Sequence, residues 1–378
     1  MAMIINVSRE DFLASLSSLQ NVTGKKGTIA ILSNVLVETK NDAITITATD
    51  LEVGIRHTIP AEILDSGAIT MPAKKLFEIV RESCADIIHL ESQENNWVKI
   101  TAEASSYNLA GMPAEEFPAF PDYNEAALVS LSTDLVKELI DKTIFSVAPE
   151  GESQYNLAGI LVEKVVKEDG QKNYMRMVST DGHRLSMMEK ENDQEIGNLN
   201  IGRTTLIPRK GIQEMRKFME GHANIALCFE EKQAVIKSEQ AIMIIRLMNG
   251  DFPDYRNILK SNVDQRFVEI ERLPLLNSMR RMNLFTEDRY NAVKFHIEPN
   301  RLILSSQNMD IGNAKDELPI VYSGESLDLG FNGKYFVDVL QVLSCQTIKA
   351  FISSPETPCL IKADEDPGFV SLIMPMKL

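Results

Sequence analysis

The sequence repeats one pattern of strands and helices three times, and this repetition limits the possible folds more than any other feature. A strand, a helix, several strands, a second helix and closing strands recur at intervals of roughly 130 residues. The closing strands end at Met112, Met248 and Met374, and the second helices open at Pro72, Pro208 and Asn332. A chain of 378 residues has room for two or three domains, so we predict three, spanning residues 1–125, 126–252 and 253–378.

Each repeat predicts an α+β domain. Its strands follow one another without regular strand–helix–strand alternation, which favours antiparallel sheets with helices on one face. Apolar spacing predicts two helices per repeat, and Ser8 with Asp11 resembles a capping box at the start of the first. The six predicted helices span residues 8–21, 72–82, 132–147, 208–220, 274–285 and 332–344.

A turn in the second repeat has the sequence STDGHRL. Its Asp181, His183 and Arg184 combine a carboxylate, an imidazole and a guanidinium, which suits acid–base chemistry or a phosphate site. The alternative is a hairpin turn in which Asp181 bonds to its own backbone while His183 and Arg184 are solvated. Related turns occur within residues 44–60 and 302–320. Because a catalytic centre has no need of three copies, the repetition favours a structural turn.

The composition excludes several classes of protein. The formal net charge of −15 argues against a protein that grips nucleic acid over its whole surface, although it allows a locally basic face. The four cysteines form no CxxC pair, and the sequence has no GxxxxGK[ST], GxGxxG, GxSxG or HExxH motif. No apolar run reaches membrane-spanning length, and the N-terminus lacks the features of a signal peptide. We therefore predict a cytoplasmic protein without a metal, a cofactor or a membrane partner.

The predicted helices differ in charge from the rest of the chain. Together they are net positive, although the whole chain is strongly acidic. In helix 208–220, Arg209 and Arg216 lie seven residues apart, as do Lys210 and Lys217, so they form a basic ridge. A single helix of this kind is usually a solvated face. Six such helices on one side of repeated sheets instead favour a surface that contacts the nucleic-acid backbone.

The C-terminal sequence SLIMPMKL is unusually apolar for a chain end. A last strand accounts for the residues up to about Met374. Beyond it, Pro375, Met376 and Leu378 have little reason to be apolar unless they line a groove, and methionines suit a groove for several partners.

Together these stretches resemble the bacterial sliding clamps, the β subunits of the DNA polymerase III holoenzyme. The resemblance covers the whole chain and rests on the repeats, the IMPMKL ending, ATDLE at 48–52, TDGHRL at 180–185 and FPDYR at 252–256. It implies a DNA-clamp fold in which two chains form a head-to-tail ring and twelve helices line the hole. Helices packed about 10 Å apart then leave a hole of about 28 Å, which is wide enough for duplex DNA.

The resemblance also implies a function and its residues. The ring is a processivity factor that slides on duplex DNA without reading its sequence, and it tethers the replicative polymerase and clamp-loader subunits through their short linear motifs. The implied peptide-binding residues are Leu157, Thr180, Gly182, His183, Arg184, Leu185, Pro253, Ile258, Asn332, Tyr335, Met374, Pro375 and Met376. The implied DNA-facing residues are Lys25, Lys26, Lys74, Lys75, Arg81, Arg209 and Lys210, and the implied dimer interface comprises Tyr107, Leu109, Leu284 and Phe285.

Two positions depart from the family pattern, and two other functions stay open. Asn257 and Lys377 stand where the family often has arginine, so the polar rim of the peptide pocket differs from the usual one. One alternative is a monomeric three-repeat adaptor that binds peptides and encircles nothing. The other is a hydrolase that uses Asp181, His183 and Arg184. The oligomeric mass distinguishes a clamp from the adaptor, because a closed ring needs two chains.

Overall fold

The structure is a computed structural model that describes residues 3–24, 29–149, 151, 156–167, 172–202, 204–260, 266–286, 290–352 and 354–377. The chain divides into two compact units. The first comprises Met1–Thr133, Asn198–Gly202 and Gln213–Leu247. The second comprises Asp134–Gly197, Arg203–Ile212 and Met248–Leu378. Each unit therefore draws on more than one of the sequence repeats.

The first unit is built on one sheet of twelve strands. These are β1 (Ile4–Ser8), β2 (Asn34–Lys40), β3 (Ala43–Thr49), β4 (Val53–Asp65), β5 (Ala68–Pro72), β6 (Ile87–Ser92), β7 (Trp97–Ala102), β8 (Ser105–Ala110), β9 (Val129–Ser132), β14 (Asn224–Phe229), β15 (Gln233–Lys237) and β16 (Ala241–Arg246). The main path runs β8-β7-β6-β1-β4-β16-β15-β14-β9, with β2, β3 and β5 branching from it. The pairing of β4 with β16 joins strands of the first repeat to strands of the second.

The second unit contains two sheets. Its strands are β10 (Gly159–Val166), β11 (Asn173–Thr180), β12 (Arg184–Glu191), β13 (Thr205–Pro208), β17 (Phe267–Glu271), β18 (Ala292–Glu298), β19 (Arg301–Asn308), β20 (Gly312–Pro319), β21 (Leu327–Asn332), β22 (Thr347–Phe351), β23 (Cys359–Lys362) and β24 (Phe369–Ile373). One sheet runs β13-β10-β11-β12-β24-β23-β22-β17 and the other β20-β19-β18-β21. Every strand pair among the described residues is antiparallel, which confirms the predicted α+β class.

Eight α-helices accompany these strands in the described part of the chain. They are α1 (Arg9–Leu19), α2 (Ala73–Glu82), α3 (Thr133–Asp141), α4 (Asp193–Asn198), α5 (Arg209–Phe218), α6 (Tyr255–Lys260), α7 (Arg272–Asn283) and α8 (Gly333–Val342). Six of them correspond to the predicted helices, and α1 packs on α2 as α7 packs on α8. The short helices α4 and α6 were not predicted, because neither is long enough to show a helical apolar period.

Most predicted helix boundaries differ from the observed ones by one or two residues, and the largest difference is at the end of α3. The prediction extended α3 to residue 147, but the helix ends at Asp141, and the Thr143 hydroxyl donates back to the Leu139 carbonyl at 2.6 Å. The prediction began α7 at Pro274, whereas the helix begins at Arg272. A proline fits the first turn of a helix, where its missing N–H would have had no intrahelical acceptor.

The recurring Thr–Asp turn has the same hydrogen bonds in two repeats. In the first repeat, the Thr49 hydroxyl accepts from the N–H of Leu51 at 3.0 Å. The Asp50 carboxylate accepts from the N–H groups of Glu52 and Val53 at 3.0 and 2.8 Å. In residues 180–184 the corresponding distances are 3.1, 3.0 and 3.0 Å. The third repeat differs, since the Asn308 side chain accepts from the N–H of Asp310 instead. These bonds confirm the prediction that Asp181 bonds to the backbone of its own hairpin turn.

The closing strands of the repeats are marked by isolated backbone bridges. Two of the three predicted marker residues, Met112 and Met248, lie in such bridges, but the third bridge is formed by Met376 rather than by Met374. The predicted marker was therefore two residues early, because the chain continues past the end of β24 before it bridges. The three bridges are Thr70–Met112, Leu206–Met248 and Gly330–Met376.

A buried ion pair fixes the end of α3 in the second unit. The ammonium of Lys142 contacts the carboxylate of Asp366, and both side chains are almost fully buried. Burial by itself would raise the pKa of Asp366, but hydrogen bonds from Lys142 and from the N–H of Ser344 hold that pKa below its ordinary value. Burial would likewise lower the pKa of Lys142, but its bonds to Asp366 and Glu138 raise it. Both groups are therefore charged at neutral pH.

Candidate functional site

The STDGHRL turn and the C-terminal segment lie side by side in the second unit. The turn connects β11 to β12, and β12 pairs with the last strand, β24, with Leu185 opposite Leu372. Beyond β24, the N–H of Met374 donates to the carbonyl of His183 at 2.9 Å. Two stretches that are about 190 residues apart are thus joined by backbone bonds between adjacent interior strands, at one end of those strands.

Arg184 is held by several contacts at this end of the strands. It is only 9% exposed, and its Nε donates to Asp181 Oδ2 at 2.9 Å. One terminal nitrogen donates to Asp338 at 2.6 Å and the other to the Phe145 carbonyl at 2.5 Å. The guanidinium also lies 4.3 Å from the ring centroid of Tyr335. The prediction that Arg184 is solvated was wrong, because its guanidinium contacts three hydrogen-bond acceptors and an aromatic ring instead of water.

Asp181 is fully engaged by its own turn. One carboxylate oxygen accepts the N–H groups of His183 and Arg184, and the other accepts the Arg184 guanidinium. Burial raises the pKa of Tyr335, and the nearby Asp181 carboxylate raises it further. His183 is exposed, as the hairpin interpretation predicted. The arrangement is a structural network, and both oxygens of its carboxylate are already occupied.

An apolar cluster lies beneath the turn. Leu185 is buried within it, and Met248, Phe252 and Leu259 pack against it from the segment that spans the boundary between the second and third repeats. The buried members are Leu161, Val178, Leu185, Met187, Leu206, Tyr255, Leu360 and Leu372. In contrast, Ile258 and Met374 are 42% and 40% exposed. The site therefore combines a buried apolar base with apolar side chains that face solvent.

The C-terminal segment borders an open pocket of about 550 Å³. Met374, Pro375 and Met376 form one side of it, and the N–H of Met376 donates to the Gly330 carbonyl at 2.7 Å. The sequence did not identify Gly330 or Asp328, which also line the pocket. Aligning Met376 with Met112 and Met248 would have pointed to Gly330, since each methionine bridges to the strand before a second helix.

The remaining predicted pocket residues occupy varied positions. Leu157 is half-buried, and its carbonyl accepts from the N–H of Ala148 at 3.0 Å. Pro253 is exposed just before α6. The Asn332 side chain caps α8 by accepting from the N–H of Lys334 at 3.0 Å, so its oxygen already has a partner. Thr180 and Gly182 belong to the turn, where Gly182 has a φ of +88°.

Five of the seven predicted DNA-facing residues lie on two helices of the described chain. Lys25 and Lys26 fall outside the described residues. Lys74, Lys75 and Arg81 are exposed on α2, where Lys75 pairs with Glu78 at 2.6 Å and Arg81 with Glu82 at 2.8 Å. Arg209 and Lys210 are half-buried at the start of α5, and Arg209 donates to the Val147 carbonyl at 3.0 Å. The positive charge on α2 is therefore partly neutralised by neighbouring glutamates, whereas Arg209 keeps its charge while it bonds to a carbonyl.

The predicted interface residues lie at sheet edges. Tyr107 and Leu109 point to the same side of β8, which is the terminal strand of the first unit's sheet and is largely exposed. β20 is likewise the terminal strand of the four-stranded sheet. Leu284 is 69% exposed after α7, and a Cβ added to Gly312 of β20 would come 3.8 Å from the ring of Phe285. Both strands leave backbone groups available for a further strand.

In the described ranges, no group of three or more His, Cys, Asp or Glu side chains could hold a metal ion. No helix in the same ranges is long and apolar enough to cross a membrane.

Three family models together match most of the chain. The N-terminal, central and C-terminal domains of the DNA polymerase III beta subunit match residues 3–121, 130–254 and 260–377. The beta sliding clamp of Caulobacter vibrioides is 30% identical over all of both chains, and that of Escherichia coli is 27% identical over all of both chains.

Among solved structures, a Caulobacter crescentus beta sliding clamp with bound PEG aligns with a TM-score of 0.93 at 29% identity. The DnaN sliding clamp of Bartonella birtlesii bound to griselimycin aligns with a TM-score of 0.92 at 29% identity. Both alignments cover all of both chains. With its antiparallel sheets and three matched domains, the chain belongs to the DNA polymerase III beta subunit family, the bacterial sliding clamps.

Proposed function

We propose that this chain acts as a homodimeric ring that encircles duplex DNA and tethers the replicative polymerase. The observation that carries the proposal is that all three domains of the clamp family are present in order along the whole chain. The domain boundaries that we propose are 1–125, 126–252 and 253–378. The known relatives are sliding clamps, which are non-enzymatic, and the occupied carboxylate of Asp181 agrees with a protein that performs no reaction of its own.

The ring closes through the free sheet edges. β8 of one chain pairs with β20 of the partner, which extends both sheets across the joint. Tyr107 and Leu109 then pack against Leu284 and Phe285, which supplies an apolar contact beside the strand pairing. The support is that both strands are terminal in their sheets and that Leu284 is exposed at the end of α7. Such a joint is stable and still allows opening for loading.

The helices face the DNA and hold it loosely. Lys74, Lys75 and Arg81 on α2, with Arg209 and Lys210 on α5, contact phosphates without reading bases, and Lys25 and Lys26 act with them. Because Lys75 and Arg81 are paired with neighbouring glutamates, each offers phosphate only a weak, exchangeable contact. The net charge of −15 opposes tight wrapping. Weak contacts in a closed ring favour sliding.

The surface formed by the turn and the C-terminal segment binds the partners. Segments of the type Gln-Leu-x-Leu-Phe, from polymerase and clamp-loader subunits, place their apolar side chains beside Ile258 and Met374, above the buried cluster around Leu185. The exposed Ile258 and Met374 support this, because a free chain has little reason to display them. Each chain carries one such site, so a dimer offers two. The partners and the DNA are cytoplasmic, and we place the clamp there.

Removing residues 374–378 tests the tethering site. The truncated chain should lose affinity for a fluorescently labelled Gln-Leu-Ser-Leu-Phe peptide, measured by anisotropy, because Met374 and Met376 are gone. It should remain a dimer in sedimentation, because the removed segment bridges to Gly330 of β21, which is the opposite terminal strand of its sheet from β20. Unchanged peptide affinity would move the binding site elsewhere. A monomeric wild-type protein would instead support the peptide-binding adaptor.

A further inference from the structure

A second pocket lies in the first unit beside the Thr–Asp turn of the first repeat. Its volume is about 280 Å³, and its apolar walls include Leu51, Phe120, Pro121 and Ile244, with Gly54 at the bottom. This volume is at the small end of those that hold ligands, so it has room for one or two side chains. Phe120 also packs against the buried Ile244, which fixes one wall of the pocket.

The backbone around this pocket repeats that of the site at the C-terminal segment. The N–H of Arg246, at the end of β16, donates to the Glu52 carbonyl at 2.8 Å, just as Met374 donates to His183 at 2.9 Å. The pairing of β4 with β16 corresponds in the same way to the pairing of β12 with β24. The sequence Phe-Pro-Asp-Tyr follows the closing strands in both places, at residues 120–123 and 252–255. The first unit therefore contains a second copy of the scaffold.

A glycine stands at this pocket where the other site has a leucine. Gly54 pairs with Ile244 in the same way as Leu185 pairs with Leu372, so Gly54 stands where the other site has a leucine side chain. A Cβ added to Gly54 would lie 3.3 Å from the ring of Phe120, so this ring already takes part of the space beside the glycine. The rest of that space belongs to the open pocket that Gly54 and Phe120 line.

The rim of the pocket carries an exposed leucine on a strained backbone. Leu51 has a φ of +77°, whereas the equivalent turn position holds Gly182 with a φ of +88°. A bulky side chain is disfavoured in this conformation, where glycine is free of strain. Even so, the chain keeps a leucine there, and its side chain is 49% exposed. The backbone strain at Leu51 is not repaid by burial of its side chain, so we expect this side chain to contact another molecule.

The charged groups at the pocket indicate the chemistry of its occupant. Lys232, Arg246 and Glu52 line it, which gives the rim a net positive charge. Of the ion pairs formed between described residues, none includes Lys232 or Arg246. Two cations beside an apolar cavity are complementary to a carboxylate that adjoins a leucine or aromatic side chain.

We propose that this pocket is a second docking site of the clamp, for a short extended segment of a partner protein with an aromatic or leucine side chain next to an acidic residue. The apolar side chain enters the space above Gly54 and packs on Leu51 and Phe120. The neighbouring carboxylate pairs with Arg246 or Lys232. The site differs from the one at the C-terminal segment in its preference for acidic peptides, and it stands on its own lining residues rather than on the proposed tethering site.

The test uses a fluorescently labelled Asp-Leu-Phe-Asp peptide and the full-length protein, with unlabelled Gln-Leu-Ser-Leu-Phe in excess to occupy the other site. We expect saturable binding that weakens at least about tenfold in Gly54→Val, which fills the cavity, and about threefold in Arg246→Gln. The neutral peptide Asn-Leu-Phe-Asn should bind more weakly than the acidic one. Leu64→Ala, which removes an exposed leucine outside the pocket, should leave binding unchanged.

A further variant separates a binding defect from a folding defect. Leu51→Gly removes the rim side chain and relieves its backbone strain, so it should weaken peptide binding about threefold while the urea midpoint stays the same or rises. The proposal is overturned if the acidic peptide shows no saturable binding, or if Gly54→Val, Leu51→Gly and Arg246→Gln all bind it like the wild type. Complete displacement by Gln-Leu-Ser-Leu-Phe would also overturn it, because the peptide would then occupy only the first site.

Discussion

Replacing Arg184 tests whether its hydrogen bonds at the STDGHRL turn stabilise the folded protein. Arg184→Met keeps the apolar stem but removes three hydrogen bonds, to Asp181, Asp338 and the Phe145 carbonyl. Hydrogen bonds to charged groups contribute about 1.5–3 kcal/mol each. The Asp338 bond is worth less than that, because its carboxylate is 37% exposed and regains water. We therefore expect the free energy of unfolding to fall by about 3 kcal/mol.

Urea denaturation followed by circular dichroism measures this loss. Arg184→Lys is the matched variant, since lysine keeps the charge but lacks the planar fork that reaches three acceptors. It should lose about half as much stability as Arg184→Met. If Arg184→Met unfolds within about 1 kcal/mol of the wild type, the residue is not the structural centre that its contacts indicate.

Three other predictions concern stability, dimerisation and DNA contact. Asp366→Asn should lower the unfolding free energy by about 3 kcal/mol at pH 7, because it leaves the buried Lys142 ammonium without its main partner. The folded-state pKa of Asp366 is below its ordinary value of 3.8, so its contribution is present above that pH and is lost as the pH falls through the folded pKa. In urea titrations at several pH values, the gap between this variant and the wild type should narrow in acid, and a constant gap would contradict the assignment. Leu284→Ala with Phe285→Ala should give monomers in sedimentation at micromolar concentration, whereas an unchanged dimer would place the joint elsewhere. Lys74→Glu should shorten the residence of the clamp on circular DNA, most clearly at low salt, and an effect that depends on base sequence would contradict backbone contact.

The sequence predicted the features whose causes are local. The Thr–Asp turns follow from short side chains that bond to their own backbone, so the turns at residues 49–53 and 180–184 could be recognised from a few letters. Helix starts after Pro72 and Asn332 also depend on neighbouring residues alone. The antiparallel class followed from the order of the strands. These features need no knowledge of distant parts of the chain.

The features that were missed depend on contacts distant in sequence. The burial of Arg184 comes from Asp338 and Phe145, which lie far from it along the chain. The partial neutralisation of the DNA-facing residues was foreseeable for Lys75 and Glu78, which are three residues apart on α2. The partial burial of Arg209 was not foreseeable, because its acceptor is a backbone carbonyl on another segment. The repeat pattern identified the scaffold but not which copy would be filled by a side chain.

The most direct test of the account is whether the protein is held on DNA by topology. Clamps loaded onto circular duplex DNA by a clamp loader and ATP should stay bound through gel filtration in moderate salt. Cutting the circle once with a restriction enzyme should release them, because a ring slides off a free end without breaking any strong contact. Retention on the linear product, or release from the intact circle at the same rate, would contradict the central claim that the chain encircles DNA.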